Sequence, residues 1–193
     1  MMQKGFDSEV FDSQAVFRHL LLAMACPGTI TTTGIRLSCP ERIQSGAGAL
    51  LLTLLDFETL FWADLELDTA EIRWLHFHSG ARLTHAPSEC GFGLFTDCDK
   101  LMDPARFNPG TVESPDLSTT LIIQTRGMDE SRQLRLTGPG IEKDTFIHIA
   151  GIPRDFWENR TSVNQAYPAG IDMVFVHNHR FTALPRTTKI EVC

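Results

Sequence analysis

Lysine is scarce in this chain: Lys4, Lys100, Lys143 and Lys189 stand against thirteen arginines and 24 acidic side chains in 193 residues. With a formal charge of -7, the chain lacks the basic surface that grips a nucleic-acid backbone or an anionic membrane, and neither is expected as a partner. Any anion must meet a local cluster, where the planar fork of arginine serves better than an ammonium. Long apolar runs are also missing, since no segment approaches the ~18 residues of a membrane span. The stretch His19–Cys26 is expected not to be an export leader, because it is short, follows Arg18 and is preceded by Asp7, Glu9 and Asp12 rather than by basic residues.

The five cysteines, Cys26, Cys39, Cys90, Cys98 and Cys193, are odd in number and show no C-x-x-C spacing. They read as reduced thiols of a cytoplasmic protein, which excludes zinc ribbons and thioredoxin chemistry. Catalytic signatures are missing too: there is no G-x-S-x-G elbow, no H-E-x-x-H, no Walker loop and no dinucleotide fingerprint. Cys193 reads as a small apolar side chain docked at a terminus. No residue is assigned a catalytic role.

What the sequence does contain suits one globular domain over 1–193, with 1–12 as a flexible lead. A chain of this size removes about 70% of its unfolded surface from water, enough for a core without staples. Helical spacing of Val16, Leu20, Ala23 and Met24 predicts a helix over 13–25, stopped by Pro27-Gly28, and a second helix is expected over 41–55. Strands are expected at 30–33, 60–63 and 91–96, and alternation through Trp74, His76 and His78 predicts another at 74–78. Residues 119–125 and 132–137 read as a strand pair joined by 126–130, and 153–165 as a helix between Pro153 and Pro168. Segment 171–176 is apolar on both parities apart from Asp172, the pattern of a central strand covered on both faces. Strands at 181–184 and 189–192 complete the chain. The class is α/β, a three-layer αβα arrangement around a mixed sheet.

Few groups here carry chemistry. If 74–78 is a strand, its period of two places His76 and His78 on one face, where both imidazoles reach one divalent metal; His177 and His179 instead straddle a turn. A metal needs a third ligand, and none is apparent, so no metal site is assigned. The alternative function this pair defines is a free-standing metal-dependent hydrolase. Leu136-Thr137-Gly138-Pro139-Gly140-Ile141 follows a strand and is either a tight turn or a nest whose backbone N–H groups and Thr137 hydroxyl meet an anion. Arg186-Thr187-Thr188 sets one cation beside two hydroxyls, fit for a phosphoryl group, a partner carboxylate or simply solvent. Arg18, beside Phe17 on the first helix, is a surface arginine or an interface cation.

Taken together in order, Phe17-Arg18, Leu21-Leu22-x-Ala-Met24-x-x-Pro27-Gly28, Leu51-Leu-Thr-Leu-Leu-Asp56, Phe77-His78, Leu134-Arg-Leu-Thr-Gly-Pro-Gly-Ile141, Tyr167-Pro-x-Gly-Ile-Asp172 and Leu184-Pro-Arg-Thr-Thr-Lys-Ile-Glu-Val-Cys193 resemble the PhnH family, a subunit of the bacterial carbon-phosphorus lyase system. The likeness runs from about residue 13 to the end; His76 departs from the family pattern. The resemblance implies a fold similar to the large domain of pyridoxal-phosphate-dependent transferases, without that cofactor. A Schiff base needs a positioned amine, and none of the four lysines lies in a convincing site. It also implies an accessory role, as a homodimer, beside the companions PhnG, PhnI and PhnJ. By the same resemblance, their assembly is expected to displace adenine from ATP with a phosphonate, giving a ribose 1-phosphonate 5-triphosphate. Arg18, His78, Thr137, Gly138, Gly140, Asp172, Arg186, Thr187 and Thr188 are the positions expected at a ligand or partner surface, with ATP or a phosphonate as the small-molecule candidates. A scaffold that binds no ligand is the third reading.

Overall fold

Along the strand Asp172–His177, successive side chains point to opposite faces of the sheet and divide the interior in two. Val174 and Val176 join a core with Val16, Leu20, Leu50, Leu51, Trp74 and Leu75. Met173 and Phe175 join a second core with Leu134, Leu136, Ile147, Phe156 and Trp157. The computed structural model describes residues 2–193, and within them this strand has neighbours on both sides, as its apolar pattern requires.

The helices are α1 (Glu9–Ala25), α2 (Ser45–Leu54), α3 (Ala70–Ser79) and α4 (Arg154–Val163). The large sheet holds β1 (Thr31–Thr32), β2 (Leu60–Ala63), β3 (Arg82–Leu83), β4 (Phe92–Phe95), β5 (Thr120–Gln124), β8 (Asp172–His177) and β9 (Arg180–Leu184), in the order β1-β9-β8-β5-β4-β2-β3. All run in one direction except β9, which is antiparallel to both its neighbours. Asn178, at φ 57, turns β8 into β9. A second, antiparallel sheet holds β6 (Gly127–Thr137), β7 (Thr145–Ala150) and β10 (Lys189–Val192), in the order β10-β6-β7.

The architecture departs from the expected αβα sandwich in its third layer. Helices α1, α2 and α3 cover one face of the large sheet, but the other is covered by α4 together with the small sheet. The pairing of 119–125 with 132–137 does not form. Instead β5 lies parallel between β4 and β8, and the chain crosses at Thr125–Arg126 into the small sheet, where β6 pairs β7 and β10. Strand β7 went unread.

The segment 74–78 is helical. Thr69 caps α3 by accepting from the Ile72 N–H at 3.4 Å, and Gly80 ends it in the left-handed region at φ 72, its N–H donating to the His76 carbonyl at 2.9 Å. Helix α1 begins at Glu9, earlier than the expected 13. Ahead of it Phe6 is buried, and the Gln3 carbonyl accepts from Trp74 Nε1 at 3.0 Å.

Candidate functional site

Helix α4 is strongly polar, yet it buries Phe156, Trp157 and Arg160. Phe156 and Trp157 pack into the second core, with Trp157 tilted on Phe175 at a centroid separation of 5.2 Å. Arg160 lies one turn further along the same stripe and is only 1% exposed. Its guanidinium clasps the β9–β10 turn: Nη1 donates to the Thr188 carbonyl at 3.1 Å, and Nη2 to the carbonyls of Leu184 at 3.1 Å and Pro185 at 2.7 Å. No carboxylate pairs with it among the described residues. Burial pushes the guanidinium down to about 10, against the opposing pull of Asp172.

Among the described residues Trp157 Nε1, Arg160 Nε and the Thr188 hydroxyl are buried donors without a partner here. Each unpaired group of this kind costs ~1–3 kcal/mol when no water or ligand answers it. Arg160 and Thr188 line a cavity of about 740 Å³, whose wall also includes Pro139, Asn164, Tyr167 and Lys189. The Asn164 amide is committed to the Ile171 backbone, accepting from its N–H at 2.8 Å. Tyr167 is 68% exposed. Glu191 also borders the cavity, but its carboxylate is held by Arg135 at 3.0 Å. Lys189 makes no ion pair among the described residues.

Several of the expected positions meet at this wall. Strands β6 and β10 pair Thr137 with Lys189, which brings Thr137-Gly138 alongside Thr187-Thr188. At Gly138, φ is +130 and an added Cβ would lie 2.9 Å from the Thr187 carbonyl, so only glycine allows this approach. Arg186 borders the cavity with its charge already engaged. Its Nη2 meets Asp172 Oδ2 at 2.6 Å, its backbone N–H meets Oδ1 at 2.7 Å, and the fork also reaches the Pro115 and Pro168 carbonyls and the Ser118 hydroxyl. Asp172 is thus the counter-ion that orients Arg186.

The remaining expected positions lie elsewhere. Gly140 packs against the Ala25 carbonyl and Pro27. Arg18 is exposed on α1. His78 sits on α3 with Nε2 3.1 Å from the Gln3 carbonyl and its ring edge-on to Trp74. On a helix, positions two apart diverge by about 200°, so His76 and His78 do not converge as a strand would have made them; His76 Nδ1 is instead 2.9 Å from the Ala81 carbonyl. His177 Nδ1 lies 3.1 Å from the Thr125 carbonyl. Among the described residues, no three His, Cys, Asp or Glu side chains gather as a metal set.

Open parallel sheets bind ligands at the carboxyl ends of their strands. Here that edge is closed by its own polar groups. Gln124 accepts from the Gln44 N–H at 2.6 Å and donates to the Arg42 and Thr96 carbonyls, while Gln44 accepts from the Asn178 N–H at 2.7 Å. The cavity lies toward the opposite edge, where β8 begins at Asp172 and β9 ends at Leu184.

Residues 4–191 match the family described as bacterial phosphonate metabolism protein (PhnH). The chain belongs to the PhnH family. Two relatives place it further. The chain is 33% identical over 188 residues to "Alpha-D-ribose 1-methylphosphonate 5-triphosphate synthase subunit PhnH" of Rhizobium meliloti (strain 1021), covering 97% of this chain and 94% of that one. It is 28% identical over 180 residues to "Putative C-P lyase subunit protein HtxG" of Stutzerimonas stutzeri, covering 93% and 86%. The PhnH resemblance read from the ordered blocks is therefore correct. Arg160 and Tyr167 were not among the expected site residues. The available signal for Arg160 was a lone arginine four residues beyond Phe156 on the apolar stripe of an otherwise polar helix.

Proposed function

We propose that this chain is an accessory, cytoplasmic subunit of a phosphonate-activating transferase, acting with companion subunits PhnG, PhnI and PhnJ and pairing with a second copy of itself. The observation that carries this reading is the 33% identity, across 97% of the chain, to a subunit of ribose 1-methylphosphonate 5-triphosphate synthase. In this role the chain supports adenine displacement from ATP by a phosphonate but does not turn over alone. Its own ligand contacts, with ATP or a phosphonate, fall at the cavity beside Thr187 and Thr188.

A partner surface is supported by α1. That helix buries Val16, Leu20 and Ala23 while exposing Val10, Phe11, Phe17, Leu21 and Leu22. A helix apolar on both sides is ordinarily covered on both sides.

The likeness to the large domain of pyridoxal-phosphate-dependent transferases belongs to the same proposal. It is supported by the seven-stranded mixed sheet with β9 alone reversed. Operation without the cofactor is supported by the exposure of all four lysines and by the closed carboxyl edge.

The test is co-expression of the tagged chain with its three companions. Expected are a stable complex and ATP- and phosphonate-dependent adenine release that is lost when this chain is omitted. Adenine release by the isolated chain, or full release by the companions without it, would refute the proposal.

A further inference from the structure

We infer that the cavity between α4 and the β9–β10 turn binds the tetrahedral oxyanion end of a small organic phosphonate or phosphate ester, with Arg160 and Thr188 as the receiving groups. This deepens the proposal above, on which it rests for the choice of phosphonate as first probe.

The cavity carries unspent positive charge. Arg160 spends three N–H groups on turn carbonyls and has no carboxylate partner among the described residues, leaving Nε unanswered in a 1% exposed side chain. Lys189 is the second unpaired cation on the wall. The acidic groups nearby are already engaged, Asp172 by Arg186 and Glu191 by Arg135. An anion entering here gains two cations and displaces no ion pair.

The donors outnumber what a flat carboxylate uses. The Thr188 hydroxyl is buried and unpaired, and the Thr187 side chain and the Lys189 ammonium border the same space. Two hydroxyls from the turn, with Arg160 from the helix and Lys189 from β10, suit three oxygens disposed around one centre. A dianion also balances the two free cations better than a single negative charge.

The rest of the wall suits an apolar body. Pro139, Ile190 and the exposed Tyr167 ring offer hydrophobic and stacking surface. At about 740 Å³ the space exceeds what a bare phosphate fills and falls within the range of small-molecule sites.

Calorimetric titration of the full chain tests this with phenylphosphonate, phenyl phosphate, benzoate and inorganic phosphate. One-to-one binding is expected for the two ring-bearing tetrahedral anions, with benzoate and inorganic phosphate each about tenfold weaker or worse. Phenylphosphonate and phenyl phosphate separate the two sources of the anion, and tighter binding of either agrees with the inference. Thr188→Val and Lys189→Ala are expected to weaken binding about tenfold each, with melting temperatures confirming that both remain folded. Arg160→Lys keeps the charge but loses the fork, and is expected to weaken binding as well.

Absence of saturable binding up to ~5 mM of either ring-bearing anion would overturn the inference. So would unchanged affinity in the Thr188 and Lys189 variants, or benzoate binding as tightly as phenylphosphonate. Equal affinity for inorganic phosphate would overturn the apolar subsite. Because the titration uses the isolated chain, failure here with normal complex assembly sinks only the cavity assignment. Binding here without assembly sinks only the accessory role.

Discussion

Arg186 and Asp172 are bonded through side chain and backbone alike, with Nη2 donating to Oδ2 at 2.6 Å, Nε to both carboxylate oxygens at 3.2 Å and the backbone N–H to Oδ1 at 2.7 Å. The pair locks the β9–β10 turn to the first residue of β8. Both side chains are 15% exposed, so water gives them little alternative solvation. Arg186→Ala leaves a largely buried carboxylate without its partner, a loss of ~3 kcal/mol. For a domain of this size that lowers the melting temperature by about 6–12 °C, measured by calorimetry. An unchanged melting temperature would show that the turn is held by other contacts.

Gly140 makes a separate prediction. At φ +82, with the Ala25 carbonyl where a Cβ would go, Gly140→Ala is both strained and obstructed. The expected cost is ~2 kcal/mol or more. Gly91→Ala is the control, because its Cβ would meet only the Leu60 carbonyl, at 3.9 Å. Chemical denaturation of the two variants should separate them clearly.

Burial pushes the Cys39 thiol up to about 12 and the Cys90 thiol to about 11, from an ordinary 9.0. The folded chain therefore holds these protons more tightly than the unfolded one. Their contribution is complete below about pH 9, where the unfolded thiols titrate, and declines as pH rises toward the folded values. Thermal stability should fall across that window, and less steeply in Cys39→Ala. Alkylation of the native protein at pH 8 should modify the exposed Cys193 well before the buried Cys90.

The outward face of α1 yields the fourth prediction. Phe17 and Leu21 are exposed, so Phe17→Glu with Leu21→Glu should change the stability of the isolated chain by about 0.5 kcal/mol per site or less. The same double variant should lose association with its copies or companions in light scattering and co-purification. Association at wild-type strength would mean that partners dock elsewhere.

Much of the fold was legible because local patterns are sharp where a segment is covered on one or both faces. The double-parity run at 171–176 marked β8, and Val16, Leu20 and Ala23 marked α1. The segment 74–78 failed for a reason of length: five residues with Trp74, His76 and His78 on one parity and Leu75 and Phe77 on the other fit a strand, and only Thr69 and Gly80 at its flanks distinguish a capped helix. The 119–137 region failed because adjacency in sequence favours a hairpin, whereas β5 finds both partners, β4 and β8, far along the chain. At the site, the Arg186-Thr187-Thr188 and Thr137-Gly138 segments were visible as motifs. Their contact across the β6–β10 register was not.

By itself the sequence determined the class of molecule: an acidic α/β chain with PhnH motifs in order. Side-chain type, period and turn residues act over a few positions, and they are written directly in the chain. Only the tertiary structure decided which arginine spends its charge and which retains it. Arg186 finds Asp172, while Arg160, buried by the packing of α4, finds only carbonyls among the described residues. Whether a cation has a counter-ion depends on what long-range packing sets beside it, and neighbours in space are not neighbours in sequence.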